Sequence, residues 1–329
     1  MQNRFARLEW FGAIGIATVL SACGGDQLIT HDVDSGDPIH PPMIVAHRGG
    51  AADAPENTLE AIGLAVRNRA DAIWITVQLS KDEVPVLYRS ARLSHQTGMA
   101  GTVADYTADE LAQMNAGRNF KDKDGRNPYL SHPVGIPTLL DALRTIPRGL
   151  PIMLDMKALP AERQASAVAR VLTEEGAWSR VTIYSTEAAY QQAFAAYPEA
   201  KLFESRDATR NRLVKALLGE GCENAPAVPV WTAFELHRKL TVTERFTLGE
   251  GRSDAHATMW TPRTVACFRQ DAPVRILAIG VNEAKDYRTV ACLGVDAVLT
   301  DSPATLMKIR HEVGPIADRD TGCGTPATR

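Results

Sequence analysis

Residues 43–49 read MIVAHRG, an apolar run that ends in a histidine, an arginine and a glycine. Such a run before a polar pair is typical of a buried strand whose carboxyl end opens onto a site. Histidine exchanges a proton near neutral pH, and the planar guanidinium group of arginine binds carboxylates and phosphates. The stretch therefore predicts a first β-strand with His47 and Arg48 at the edge of a binding or catalytic site.

Short apolar runs alternate with amphipathic segments along the rest of the chain. AIWITVQ at 72–78, VPVLY at 84–88 and LPIMLDMK at 150–157 have the composition of strands, whereas ENTLEAIGLAVRNRA at 56–70 has a helical period. About eight such units in roughly 270 residues predict an α/β fold, a closed (β/α)8 TIM barrel. An open doubly wound sheet is the alternative, although no GxGxxG sequence follows the first strand.

The barrel is assigned to residues 43–312, with a polar C-terminal tail at 313–329. We expect an irregular insertion at 220–258, because this stretch lacks a clear period and is too long for a simple connection. It is expected to lie over one end of the barrel. Glu235, His237 and Arg238 within it either reach the mouth of the barrel or form a solvated surface cluster.

The 329-residue chain is 45% hydrophobic and 23% charged, which is typical of a globular protein with a sizeable core. Its formal net charge of −3 provides no general basic field. Nucleic acid is therefore not an expected partner. The composition does not determine an oligomeric state.

Residues 1–22 have the layout of a bacterial signal peptide. Two arginines precede an apolar run at 10–20 that is too short to cross a bilayer as a stable anchor. LSAC at 20–23 resembles a lipobox, which implies a lipid on Cys23 and a membrane partner. An ordinary signal peptide with an incidental Cys23 is the alternative. Gly24 favours the periplasmic face of the outer membrane over the inner membrane.

Residues 23–42 are expected to form a flexible tether behind the lipid, because they lack periodicity and are rich in Gly, Asp and Pro. Export to an oxidising compartment makes disulfides possible among Cys222, Cys267, Cys292 and Cys323. These cysteines permit three pairings, among which the sequence does not choose. Free buried thiols at Cys267 and Cys292 are the alternative.

Active-site residues of such barrels project from the C-terminal ends of the strands. The first four strand ends give the candidate site residues His47, Arg48, Trp74, Thr76, Gln78, Arg89, Ser90, Asp155 and Lys157.

These residues lie in motifs that resemble the glycerophosphodiester phosphodiesterases, which are metal-dependent (β/α)8 hydrolases. The resemblance rests on AHRGGAADAPENTLEA at 46–61, on ADAIWITVQLSKDEVPVL at 70–87 and on GVDAVLTDSP at 294–303, and it extends over nearly all of 43–308. It implies hydrolysis of glycerophosphodiesters to an alcohol and glycerol 3-phosphate, with Ca²⁺ or Mg²⁺ as the cofactor.

The chain departs from this family at the residues that the resemblance would assign to the metal. Trp74 and Thr76 replace two acidic ligands, Arg89 and Ser90 replace a His-Asp pair, and Asp155 replaces a glutamate. Hard cations prefer carboxylate oxygens, so Asp155 is expected to bind a metal only weakly. We therefore expect no metal cofactor.

The remaining side chains predict a phosphate-binding site. Arg48, Arg89 and Lys157 suit a phosphodiester, which carries one negative charge. Trp74 is expected to stack on a head group such as choline. His47 is the candidate acid or base.

Three residues of the loop after the first strand have an expected structural role. Asn57 and Thr58 should brace this loop and cap its helix, and Glu56 should pair with Arg48.

The preferred function is a catalytically impaired family member that binds a phosphodiester or phospholipid head group. One alternative is an active phosphodiesterase with a rebuilt site formed by His47, Arg48, Arg89 and Lys157. A second alternative is a structural outer-membrane lipoprotein with its partner surface at 220–258.

Overall fold

The structure is a computed structural model that describes residues 40–314. The signal peptide, Cys23, Cys323 and most of the tether and tail lie outside the described residues. Pro38–Arg329 form one compact unit, called the barrel unit below. No helix in the described part of the chain is long and apolar enough to cross a bilayer.

Residues 40–314 contain ten β-strands, which are β1 (Met43–His47), β2 (Ala72–Leu79), β3 (Pro85–Leu87), β4 (Ile152–Met156), β5 (Val181–Tyr184), β6 (Val230–Glu235), β7 (His237–Phe246), β8 (Gly249–Thr258), β9 (Val274–Ile279) and β10 (Ala297–Thr300). The α-helices in the same range are α1 (Leu59–Arg67), α2 (Ala108–Ala112), α3 (Leu139–Thr145), α4 (Ala161–Glu174), α5 (Ala189–Ala193), α6 (Arg206–Leu218), α7 (Pro262–Phe268), α8 (Ala284–Cys292) and α9 (Pro303–Val313).

Parallel strands form the barrel in the order β5-β4-β2-β1-β10-β9-β6, and β3 pairs antiparallel with β2. The ring closes where Leu202 bridges to Ile183 of β5 and Phe203 bridges to Trp231 of β6. This short eighth segment completes the barrel. The prediction of a (β/α)8 barrel is confirmed, and the open doubly wound sheet is wrong.

Burial on both faces explains why the barrel strands read as continuous apolar runs. The inward side chains form a cluster inside the barrel that includes Val45, Met153 and Leu277. The outward side chains, such as Ile75 and Ile276, pack under the helices. This arrangement places all the strand ends in register at the two ends of the barrel.

The prediction that residues 220–258 form an irregular insertion is wrong for most of that stretch. Only 220–229 lacks regular structure, because 230–235 is barrel strand β6. Strands β7 and β8 form an antiparallel hairpin that runs from the His237–Thr258 pair to the Phe246–Gly249 pair. Most residues on both faces of this hairpin are exposed, so it lacks the apolar alternation by which a half-buried strand is recognised.

Three of the cysteines whose state the sequence left open are disulfide-bonded. Cys222 and Cys267 form a disulfide that ties the irregular residues before β6 to α7. Cys292 is also disulfide-bonded. The alternative of free thiols at Cys267 and Cys292 is therefore wrong. The sequence alone could not choose this pairing, because Cys222 and Cys267 are 45 residues apart along the chain and only the fold brings them together.

Candidate functional site

The carboxyl ends of the parallel strands meet at one end of the barrel, called the mouth below. His47 is the last residue of β1 and pairs in register with Trp74 of β2. Thr76 of β2 is in register with Asp155 of β4. The barrel thus brings together the residues that the first, second and fourth strands were predicted to contribute.

The turn after β1 depends on its glycines. Arg48, Gly49 and Gly50 all have positive φ angles, of 52°, 80° and 104°. A side chain at Gly49 would lie 3.2 Å from both Ala61 Cβ and the backbone nitrogen of Ile62 in α1. The Gly residues therefore allow the strand to turn sharply against the start of α1, and the Arg48 side chain contacts His47 and Glu56.

His47 is oriented by two hydrogen bonds. Its Nδ1 lies 2.6 Å from Asp301 Oδ1, and its Nε2 lies 3.2 Å from Arg48 Nε. Because arginine only donates, Nε2 must accept, and Nδ1 donates its proton to Asp301. The accepting nitrogen that a general base would use is therefore occupied by Arg48.

Asp301 and Asn282 belong to the site, although the sequence analysis did not single them out. Asn282 Nδ2 donates to Asp301 Oδ2 at 3.2 Å, and Asn282 Oδ1 accepts from the Asp301 backbone at 2.9 Å. Asp301 directly follows β10, and Asn282 follows β9. The strand-end rule, applied to the last two strands as well as the first four, would have found both.

Replacing Asp301 with asparagine is expected to lower the free energy of unfolding by about 1 kcal/mol near neutral pH. The hydrogen bond from His47 holds the pKa of Asp301 below its ordinary value. The stabilisation is therefore present above the unfolded-state pKa and is lost as the pH falls through the folded-state pKa. Urea unfolding near neutral pH and at about pH 3 should show the difference shrinking in acid.

Asp271→Asn is the control for this measurement. Asp271 is an exposed carboxylate whose side chain hydrogen-bonds to the neighbouring Gln270. Its replacement should change stability little at either pH. An Asp301→Asn effect of equal size at both pH values would contradict the prediction.

Arg48 pairs with Glu56, and the loop between them braces the site. Arg48 Nη1 binds Glu56 Oε2. Asn57 Oδ1 accepts a hydrogen bond of 2.9 Å from the backbone of Thr76, which ties the loop to β2. Thr58 Oγ1 caps α1 by accepting from the backbone of Ala61 at 3.2 Å. Much of the charge of Arg48 is thus balanced before any ligand binds.

Trp74 fills the interior of the barrel and does not line an open surface. Its side chain is 2% exposed, and its ring centroid lies 4.9 Å from that of Tyr184 and 6.0 Å from that of Phe203. The expected stacking of Trp74 on a head group does not fit this burial. The side chain points inward from β2, where apolar packing inside the barrel surrounds it.

Asp155 is paired with a cation from its own strand end. Lys157 Nζ lies 2.8 Å from Asp155 Oδ1 and 3.3 Å from Thr186 Oγ1. Burial raises the pKa of Asp155, while the positive charges of Lys157 and Arg89 act in the opposite direction. Lys157 therefore balances the charge of the buried carboxylate.

The metal that the resemblance implies does not fit these residues. Trp74 offers an N–H donor in place of a carboxylate, Thr76 offers a hydroxyl, and Asp155 already binds an ammonium group. Within residues 40–314, no group of three or more His, Cys, Asp or Glu side chains is arranged to hold a metal ion.

Arg89 is the exposed cation of the mouth. Its positive charge acts against the rise that burial causes in the pKa of Asp155. No ion pair to Arg89 occurs within the described chain. Gln78 Nε2 donates to the carbonyls of Tyr88 and Ser90 at 3.0 Å, which fixes the backbone on both sides of Arg89.

The opposite wall of the mouth is an ion-pair network. Arg206 donates to both carboxylate oxygens of Glu235 at 2.6 and 2.7 Å and to the Tyr184 hydroxyl at 2.8 Å. Arg238 donates to Glu235 at 3.1 Å. Glu235 and Arg238 thus belong to the rim of the barrel, whereas His237 lies 3.0 Å from Asp286 of α8.

The histidine and the cations meet at the carboxyl ends of the strands of a (β/α)8 barrel, which is the end where barrel enzymes carry their active sites. Residues 47–305 match the sequence model of the glycerophosphoryl diester phosphodiesterase family, and the chain belongs to that family. This agrees with the resemblance seen in the sequence.

Comparisons with known proteins agree with this assignment or with the fold. The uncharacterized protein Rv2277c of Mycobacterium tuberculosis is 43% identical over 271 residues, which are 82% of this chain and 90% of that protein. The crystal structure of its glycerophosphoryl diester phosphodiesterase domain has a TM-score of 0.78 at 42% identity, covering 83% of this chain and 100% of the domain. An Oleispira antarctica phosphodiesterase in complex with the product sn-glycerol-3-phosphate has a TM-score of 0.61 at 21% identity, covering 82% of this chain and 96% of that chain. At this identity, the similarity shows the fold alone.

Proposed function

We propose that this chain binds a phosphodiester or phospholipid head group at the mouth and lacks the metal-dependent hydrolysis of its family. Family membership supports a phosphodiester as the ligand. The observation that carries the proposal is the ion pair between Lys157 and Asp155. An ammonium group occupies the carboxylate that, by the resemblance, would bind the metal, and its remaining N–H donors can bind a phosphate without a metal.

The positive charge available to a phosphate is smaller than the count of cations suggests. Arg48 pairs with Glu56, and Lys157 pairs with Asp155. Each keeps further N–H donors, but its charge is balanced. Arg89 has no such partner within the described residues. We therefore expect Arg89 to supply the largest share of the attraction for a phosphodiester.

The hydrogen-bonded pair of His47 and Asp301 favours a second candidate function. A histidine held by a carboxylate is a competent proton carrier once its accepting nitrogen is released. An active phosphodiesterase would use His47 in this way after Arg48 turned toward the phosphate. The assay described in the Discussion separates this function from binding alone.

The proposal extends to the location of the protein in the cell envelope. A lipid on Cys23 would hold the protein at the periplasmic face of the outer membrane, and the LSAC sequence at 20–23 supports this. Metabolic labelling of the full chain with palmitate tests it. Label that remained after Cys23→Ser would exclude that residue as the lipid site.

Arg89→Ala is expected to weaken the binding of glycerophosphocholine to the barrel unit by about tenfold or more, because a charge-assisted hydrogen bond contributes about 1.5–3 kcal/mol. Isothermal titration calorimetry in the presence of a chelator measures the affinity. Arg92→Ala is the matched control, since Arg92 is also exposed, lies three positions further on and has no ion pair in the described chain. Equal weakening by both changes would contradict a specific role for Arg89.

A further inference from the structure

A cavity of about 600 Å³ lies at the end of the barrel opposite to the mouth. It is lined by residues at the starts of the strands, including Met43 of β1, Ile152 of β4, Thr182 of β5 and Trp231 of β6. Because parallel strands all begin at the same end, this basal cavity is separated from the mouth by the packed interior of the barrel.

Three cations and no carboxylate of the described chain line the basal cavity. Arg180 is half-buried and donates to the carbonyls of Leu143, Ile146 and Pro147, so it is a structural residue. Lys201 and Arg275 are exposed, and neither has an ion-pair partner within residues 40–314. Lys201 Nζ makes one hydrogen bond, of 2.7 Å, to the Ser179 carbonyl and keeps its other N–H donors. These two side chains therefore present positive charge that no acidic side chain balances.

Apolar side chains lie beside these charges. Met43, Met153 and Leu202 line the same cavity. Trp231 lies under the Arg275 guanidinium group, whose Cζ is 5.5 Å from the ring centroid. Val228 directly precedes Pro229, which lines the cavity, and it is 64% exposed. Cations around an apolar surface that includes tryptophan match the boundary between phosphates and acyl chains in a bilayer.

A second basic cavity, of about 400 Å³, lies at the same end of the barrel. It lies between the C-terminal end of α1 and one face of α9, and its lining includes Arg69, Lys308 and Arg67, the last of which pairs with Glu60. Glu312 is the one carboxylate among its described lining residues. Helices of a (β/α)8 barrel run back toward the starts of the strands, so both cavities contribute positive charge to one basal end.

The chain enters the barrel at this basal end, because β1 begins at Met43. Cys23 precedes Met43 by about twenty residues, which span at most about 70 Å when fully extended. A lipid on Cys23 would therefore keep the basal end within reach of the bilayer.

We propose that the basal end docks on an anionic phospholipid surface, with lipid phosphates bound by Lys201 and Arg275 at the basal cavity. The mouth then faces away from the bilayer. Its ligand arrives from the aqueous side, which favours a soluble, deacylated phosphodiester over a phospholipid of the same leaflet. This consequence rests on the function proposed above, whereas the docking itself does not.

Sedimentation of the barrel unit with vesicles tests the docking. The barrel unit is suitable because the hydrophobic clusters of the described chain all lie inside it. We expect it to bind vesicles of phosphatidylcholine with phosphatidylglycerol and not vesicles of phosphatidylcholine alone. Lys201→Glu combined with Arg275→Glu should weaken binding by at least about tenfold, since each basic residue near an anionic surface contributes about 1 kcal/mol.

Lys121→Glu combined with Lys123→Glu is the matched control. It makes the same charge change on two exposed lysines in the loop between α2 and α3, away from the basal cavity, and should retain binding. If the basal double variant does not fold, Arg275→Gln at an exposed side chain should still weaken binding by about fivefold. Equal binding by the basal variants and the control, or equal binding to vesicles without phosphatidylglycerol, would overturn the proposal.

A separate measurement distinguishes this docking from the function at the mouth. The basal double variant should bind glycerophosphocholine with unchanged affinity, because Lys201 and Arg275 lie at the far end of the barrel. Loss of vesicle binding alone supports docking whether or not glycerophosphocholine is the ligand of the mouth. Loss of both would mean that the substitutions disturb the whole barrel and would count against a local basal site.

Discussion

Replacing Trp74 with alanine is expected to lower the free energy of unfolding by about 3–5 kcal/mol. The indole is buried inside the barrel against the rings of Tyr184 and Phe203. Its removal would leave a large cavity among strands that hold one another in a closed ring and cannot collapse freely. Small domains are stable by only about 5–15 kcal/mol, so the loss is a large part of the total. Denaturant unfolding followed by circular dichroism measures it.

Trp178→Ala provides the comparison. Trp178 is half-buried outside the barrel, where it stacks with Tyr197 at a centroid distance of 6.1 Å. The surrounding solvent can fill the space that its removal leaves, so this change should cost clearly less than Trp74→Ala. A cost of less than about 1 kcal/mol at Trp74 would show that the interior is not packed around the indole.

The burial of Trp74 also bears on any attempt to restore a metal site. A glutamate at this position would place a carboxylate among Met153, Tyr184 and Phe203, far from water. Desolvation of an unpaired carboxylate is costly, and the group would tend to stay protonated. The indole at position 74 is thus part of the packing of the barrel, and a carboxylate could replace it only at a large cost in stability.

Hydrolysis by the barrel unit is expected to be at least about 10⁴-fold slower than hydrolysis by an active family member. Loss of one acid or base catalyst costs about 10²–10⁴-fold, and loss of a metal that stabilises phosphoryl charge costs several kcal/mol more. Arg89 cannot replace a histidine, because arginine does not release its proton. Release of glycerol 3-phosphate from glycerophosphocholine should therefore be equally low with Ca²⁺, with Mg²⁺ and with chelator.

His47→Ala is the control that separates enzymatic turnover from background hydrolysis in this assay. If the chain is a binding protein, the variant and the parent should show the same background rate. Turnover that disappears in the variant would establish a rebuilt hydrolase and overturn the proposal of binding alone. The chelator samples would then show whether a metal takes part.

The order of apolar and amphipathic segments was enough to predict the barrel. Strands covered on both faces must be apolar throughout, and this requirement is visible as runs such as AIWITVQ at 72–78. The absence of carboxylates at Trp74 and Thr76 was also visible in the sequence, because it depends on residue type and not on the fold. Local capping followed as well, since Thr58 caps the helix that begins at the next residue.

The tertiary structure decided which groups meet. His47 and Asp301 are 254 positions apart and become neighbours only because β1 and β10 are adjacent strands. The basal cavity likewise exists only because several strands start at the same end. Separations in space between such groups are set by the closure of the barrel and do not follow from residue types alone.

The same reason explains where the sequence predictions went wrong. Residue types indicated three cations for a phosphate, but the barrel places Asp155 beside Lys157, in addition to the expected pair of Glu56 and Arg48. Coulomb attraction falls with distance, so these close carboxylates balance two of the three charges. An indole was expected to face a ligand, but the direction of its side chain from β2 buries it. Residue identity determined which chemistry this chain can perform, and the packing of the strands decided which of its charges and rings remain available.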